Sequence, residues 1–277
     1  MLGLLDSARI VADATVYRLK KREMGNLVTS ATLALGLSLP LRDVAHRVAF
    51  GLALNVFVYL VNDLFDVEID QRAEGRDVER TRFLAAHLGA GVQGAALVLG
   101  ACAALAAAHG RDLLVVLGVN VVVIVLYSRW LKRRPVLDLL SMATWGTSMA
   151  LVGCPLDSRP GWAMVGLLAI LCMVTEGVQV IRDAETDAAA GVRTTAAALG
   201  VVRAAALTRA LVLAASVYAT LTLDVIVGPL LSLGLFTRLD TAHANQSWDR
   251  LRLLFGVGWL LIVGHFHLAG RLTGALS

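Results

Sequence analysis

Charge is scarce in this sequence. Acidic and basic residues make up 17% of 277 positions, where a soluble domain carries about 25%, so an ordinary water-facing surface is excluded. Proline is scarce too, at five residues, which suits long helices. Cysteine is limited to Cys102, Cys154 and Cys172, all in apolar runs without metal-ligand spacing. They exclude a disulfide framework and read as buried structural residues. A Gly-x-Ser-x-Gly elbow and a Walker loop are both missing. The short alternating strands of a β-barrel are missing as well, because the apolar runs are long and continuous. The N-terminus lacks a cleavable signal pattern. Residues 1–25 are amphipathic and basic, with Arg18, Lys20, Lys21 and Arg22, and read as a cytoplasmic or interfacial lead-in.

Hydrophobic residues dominate, at 57%, with a mean hydropathy of +0.72. Nine apolar segments follow one another, roughly over 26–41, 44–62, 88–108, 112–131, 136–155, 161–182, 204–222, 223–237 and 251–271. A span needs about 20 residues, and the eighth segment is short, with a break at Gly228-Pro229. With no linker in sight, the expectation is an all-α, polytopic membrane bundle of about nine helices forming one domain over residues 1–277.

The net charge of +4 and pI of about 9.2 do not require nucleic acid. With nine spans, twenty of the 25 basic residues fall at the N-terminus and in alternate loops, among them Arg72, Arg129, Arg182 and Arg238. Only Arg42, Arg47, Arg111, Arg159 and Arg271 fall on the other side. By the positive-inside rule this predicts a multi-pass inner-membrane protein with a cytoplasmic N-terminus and an external C-terminus.

Two acidic clusters interrupt the apolar pattern. Asn62, Asp66 and Asp70 are spaced i, i+4, i+8 and share one helix face, which extends back through Tyr59 and Asn55 into the apolar second segment. Asp183 and Asp187 repeat the i, i+4 spacing, and their face runs back through Gln179 to Glu176. Like charges at i, i+4 cost a helix a few tenths of a kcal/mol, so such rows call for cations. Hard oxygen donors suit Mg2+, which keeps waters and bridges to phosphate oxygens. Four helices separate the clusters, so both should reach the same membrane face. There they could hold Mg2+ around one diphosphate and stabilise its charge as a leaving group. Arg76, Arg80, Arg82, Lys132 and Arg193 lie nearby as phosphate ligands; as topology signals, arginines are expected on this face in any case. His265 and His267 are two residues apart on a helix, so they do not point together at one metal.

These residues carry a resemblance. Asn62-Asp63-x-x-Asp66-x-x-x-Asp70 and Asp183-x-x-x-Asp187-x-x-x-Gly191-x-Arg193-Thr194-Thr195 resemble the paired aspartate motifs of the UbiA superfamily of intramembrane prenyltransferases. Tyr127-Ser128 followed by Lys132-Arg133 resembles that family's tyrosine–lysine segment. The resemblance implies a nine-helix bundle around a central cavity, with a prenyl diphosphate and Mg2+ bound and the prenyl group passed to an aromatic or lipid acceptor. It puts Asn62, Asp66, Asp70, Asp183 and Asp187 at the metal–diphosphate site, Lys132 and Arg193 against diphosphate, and Tyr127 in the pocket wall. The stretch from Gln71 to Phe83 departs from the family, which places an Asn-Arg-Pro-like turn there. A terpene cyclase of the same superfamily, needing no acceptor, is therefore the second reading. A cation-coupled transporter is the third, since acidic residues at membrane depth also mark ion pathways.

Overall fold

A computed structural model describes residues 2–20, 24–71, 78–131, 134–189 and 191–274. Among them the fold is all-helical, with no strand. Helix α1 (Leu2–Lys20) leads into α2 (Gly25–Gly36), α3 (Leu41–Asp70), α4 (Val78–Ala86), α5 (Leu88–His109), α6 (Arg111–Arg129) and α7 (Leu137–Ala150). Then come α8 (Arg159–Arg182), α9 (Ala184–Ala189), α10 (Thr195–Leu199), α11 (Val201–Thr222), α12 (Val227–Ser232) and α13 (Ala244–Gly274).

Each of the nine expected segments contains a helix, but their lengths differ. Six helices are long and apolar enough to cross a membrane: α3, α5, α6, α8, α11 and α13. The 30 residues of α3 reach about 45 Å at 1.5 Å per residue. They are long enough to cross hydrocarbon and still carry Asn62–Asp70 beyond it. The other three segments are too short to cross alone. The 12 residues of α2 give about 18 Å, short of a ~30 Å core, because the chain turns at Leu37–Ser38, where Ser38 has φ 56°. Helix α7 tightens into a 3-10 turn at Leu151–Gly153 before Pro155. There Gly153 passes so close to the Ser30 carbonyl that a Cβ would collide with it. Helix α12 gives way to a 3-10 turn at Leu233–Phe236.

Breaks elsewhere follow local chemistry. Gly110, at φ 119°, separates α5 from α6. The Ser158 hydroxyl accepts from Gly161 N at 3.1 Å and caps α8 with Pro160 in the first turn.

Neighbouring helices close on themselves. Helix α2 packs on α3, α3 on α5, α5 on α6, α6 on α7, α7 on α8, α8 on α11, α11 on α12, α12 on α13, and α13 back on α2. One core of buried apolar side chains runs through this ring, including Phe50, Leu54, Met149, Leu167, Ile181 and Ile262. A smaller cluster of Ile10, Leu60, Val67, Leu84 and Ala95 seats α1 on the bundle. Polar bonds also join helices through buried side chains. Asn120 and Ser148 bond reciprocally between α6 and α7 (3.1 and 2.9 Å), and the Ser30 hydroxyl donates to Met149 O at 2.7 Å. At the end opposite the acidic clusters, Arg47 is 3% exposed and is held by Asp43, Asp112 and Val152 O. The long apolar helices make the chain an integral membrane protein.

Candidate active site

The C-terminal ends of α3, α6 and α8 meet at one end of the bundle. The Ser128 hydroxyl of α6 donates to Asn62 Oδ1 of α3 at 3.3 Å. One residue earlier, Tyr127 lies within electrostatic range of Asp66 on α3, Glu176 on α8 and Asp138 on α7. Glu176 in turn feels Asp138, Asp183 and Asp187. The two acidic rows, over a hundred residues apart in sequence, thus reach the same neighbourhood across the end of α6. Gly177 lets α8 approach α11 there: a Cβ would strike the Thr208 hydroxyl.

Within the first row, Asp66 and Asp70 are partly buried. Asn55 lies deeper, fully buried, with its amide donating to Gly51 O at 2.8 Å and its Oδ1 without a partner among the described residues. Tyr59 lies under the Arg18 guanidinium, 4.5 Å from the ring centre. Within the second row, Asp183 N–H is bonded to Gln179 O at 2.9 Å. Arg182 holds the Asp183 carboxylate with two bonds of 2.6 and 2.7 Å. The Thr194 hydroxyl donates to Asp187 Oδ2 at 2.9 Å, and Val192 N–H to Asp187 O at 2.8 Å. Gly191, at φ 70°, makes the turn that brings Thr194 back. Burial pushes the Asp187 carboxyl above the usual range. The Thr194 hydrogen bond opposes that push, while Asp183 and Asp138 add to it.

The expected phosphate ligands diverge. Arg76 and Lys132 lie outside the described residues. Arg82 and Arg193 are exposed. Arg80 turns to Asp63, its Nη1 2.6 Å from Oδ2, and stacks 4.3 Å from the centre of the Tyr17 ring. Arg18 takes the other Asp63 oxygen at 2.5 Å. Asp63 is 4% exposed, so one buried carboxylate joins α1, α3 and α4. The two histidines of α13 bind separately, as their spacing predicts: His265 pairs with Asp224 at 3.0 Å and His267 bonds Leu35 O at 2.9 Å.

Sequence reasoning missed three participants. Asp63 sits inside the first motif but about 100° around the helix from Asn62, so the i, i+4 pattern passes over it. Arg18 reads as one more basic residue of a lead-in. Asp138 is a lone acid just inside an apolar run, and that isolation was the available signal. It is 1% exposed and accepts from Thr195 N (2.6 Å), Thr195 Oγ1 (2.5 Å) and Leu139 N (2.8 Å). Among the described residues no group of three or more His, Cys, Asp and Glu side chains stands ready as a metal cage.

Comparison with known proteins finds a family by sequence and a likeness of fold by structure. The sequence profile of the UbiA prenyltransferase family matches residues 26–239. No curated protein matches the chain. Among solved structures, a digeranylgeranylglyceryl phosphate synthase superposes with a TM-score of 0.72 at 15% identity, covering 96% of this chain and 99% of that one. A UbiA homologue from Archaeoglobus fulgidus bound to GPP and Mg2+ gives 0.66 at 18% identity, over 90% and 96%. The same homologue bound to DMAPP and Mg2+ gives 0.65 at 16%, over 90% and 96%. At these identities the likeness is one of fold.

Proposed function

The chain belongs to the UbiA prenyltransferase family, and from that premise we propose that it transfers a prenyl group from a prenyl diphosphate, with Mg2+, to an aromatic or lipid acceptor within the membrane. The observation that carries the reading is the junction at the end of α6, where Ser128 donates to Asn62 of the first row at 3.3 Å and the neighbouring Tyr127 lies between Asp66 of that row and Glu176, from which the second row continues. The related fold bound to GPP or DMAPP with Mg2+ supports it.

Asn62, Asp66 and Asp70 from α3, with Asp183 and Asp187 beside α8, would hold Mg2+. All five offer hard oxygen atoms. Mg2+ needs no closed protein cage, because it keeps several waters and binds substrate phosphates. Bound there, Mg2+ supplies Lewis-acid stabilisation of the diphosphate as it leaves. Lys132 and Arg193 are proposed as diphosphate ligands, with Arg76, Arg80 and Arg82 as further cations of the adjoining loop. Tyr127 would face the allylic end. Glu176, Gln179, Tyr59 and Asn55 continue the polar stripe inward, where the Asn55 Oδ1 offers an acceptor for a substrate hydroxyl or water. The C1–O bond of the donor breaks, pyrophosphate departs, and the acceptor takes the prenyl group and releases a proton.

The whole chain, 1–277, is read as one domain with α1 as its cytoplasmic lead-in. The closed order of helix contacts supports one bundle, and a central cavity within it is what membership of the family implies. In the bundle, α2, α7 and α12 with their adjoining turns would complete nine crossings in an inner membrane, with the N-terminus cytoplasmic and the C-terminus outside. The missing Asn-Arg-Pro-like turn after Asp70 keeps a terpene cyclase as a second reading. Product masses after incubation with geranyl, farnesyl and geranylgeranyl diphosphates, with and without aromatic acceptors, decide between them. A prenylated acceptor is the expected result. A cyclised hydrocarbon formed without acceptor would establish the second reading, and unchanged donors throughout would end both.

A further inference from the structure

A buried carboxylate with every oxygen engaged is poorly suited to bind metal and well suited to hold something still. Asp138, at the start of α7, is such a group. Its Oδ2 accepts the Thr195 N–H, and its Oδ1 accepts the Thr195 hydroxyl and the Leu139 N–H. The Thr195 hydroxyl is itself an acceptor, taking the Val136 N–H at 2.7 Å. Thr195 is 0% exposed and Thr194 7%. The adjoining Thr194 hydroxyl then ends on Asp187 Oδ2 at 2.9 Å. The Thr194–Thr195 backbone therefore joins two sets of hydrogen bonds, one to Asp138 and the backbone before α7 and one to a carboxylate of the second acidic row.

An independent observation marks the same junction. Val136 has φ 68° and ψ −38°, a region that β-branched residues almost never adopt. Strain of this kind persists only where the surroundings over-determine it, and it clusters at functional sites. Here the Val136 N–H is the group that Thr195 holds.

We infer that Asp138 is a positioning residue, which through Thr195 and Thr194 fixes the Asp187 carboxylate for metal–diphosphate binding. The inference rests on the function proposed above. Asp138 itself touches neither metal nor substrate. Its replacement by Asn keeps the shape but presents an NH2 group where a backbone N–H must be accepted, so one bond is lost and two donors face each other. Thr195 must then shift, and Thr194 with it.

The test is binding of Mn2+ and inorganic pyrophosphate to purified protein, read as Mn2+ retained with the protein after equilibrium dialysis against the same Mn2+–pyrophosphate mixture, beside the thermal midpoint of each variant. Wild type should bind. Asp138→Asn, Thr195→Val and Thr194→Val should each weaken Mn2+ binding by roughly tenfold, and Thr195→Ser, which keeps the hydroxyl, should restore it to within about twofold. Thr194→Val removes only the hydroxyl that faces Asp187, so it carries the test if Asp138→Asn fails to fold. Variants that lose thermal stability yet bind Mn2+ as wild type does would overturn the positioning role and leave the proposed function standing. Wild type that takes up no Mn2+ with pyrophosphate would overturn both.

Discussion

Asp63→Ala removes the carboxylate that holds two arginines from two other helices. The side chains of Asp63, Arg18 and Arg80 are 5%, 14% and 18% exposed, so water screens the cluster weakly. Each Asp63 oxygen takes one guanidinium, at 2.5 and 2.6 Å. Charge-assisted bonds of this kind contribute about 1.5–3 kcal/mol each. Breaking a buried ion pair from one side typically costs about 3–5 kcal/mol, because charge is left buried without its counter-ion. The tyrosine faces beneath the arginines, Tyr59 and Tyr17, would offset roughly 0.5–1 kcal/mol each. The net expectation is a loss of about 3 kcal/mol. At roughly 2–4 °C per kcal/mol for a large domain, the thermal midpoint in detergent should fall by about 10 °C. Helix α1 should also become faster to release by limited trypsin digestion. Replacing Asp63, Arg18 and Arg80 together by Leu, Met and Met should recover much of the loss, since apolar substitutes for a buried ionic cluster are often neutral. A single Asp63→Ala variant whose midpoint stays within about 2 °C of wild type, with α1 equally protected, would refute the hub.

Three further outcomes are expected. Asp66→Ala and Asp183→Ala should each leave less than about a tenth of wild-type turnover, since losing metal-ion charge stabilisation costs several kcal/mol, while the detergent melting curve stays within a few degrees; substantial turnover in either would remove that residue from the site. Arg193→Ala should raise the KM for prenyl diphosphate about tenfold, the worth of one charge-assisted bond, and Arg82→Ala, exposed on α4, should raise it as well; unchanged kinetics for Arg82→Ala would reduce that arginine to a topology signal. A reporter fused after Ser277 should be active outside the cytoplasm; a cytoplasmic signal would mean that one of the short segments, α12 first, does not cross.

Much of this was legible in the sequence because helical periodicity is a local property. The i, i+4, i+8 spacing of Asn62, Asp66 and Asp70 needs only α3 to be helical, and the apolar runs found their helices because continuous hydrophobicity leaves few alternatives. Helix length was less legible. Nothing in residues 136–155 announces that Gly153 must pass the Ser30 carbonyl, a contact between segments far apart in sequence, and so the 3-10 turn that shortens α7 could not be foreseen. The hub at Asp63 was hidden for the same reason: Arg18 lies 45 residues away, and an arginine before the first apolar segment already has a sufficient explanation in membrane topology. The bond from Thr195 to Asp138 spans 57 residues and has no periodic signature.

The central claim is tested most directly by pyrophosphate release. The purified chain, given geranyl, farnesyl or geranylgeranyl diphosphate in the presence of acceptor, should release pyrophosphate with Mg2+ and stop when EDTA is added. It should resume when Mg2+ is restored. Absence of release from all three donors at saturating Mg2+, or release equal with and without metal, would contradict the account.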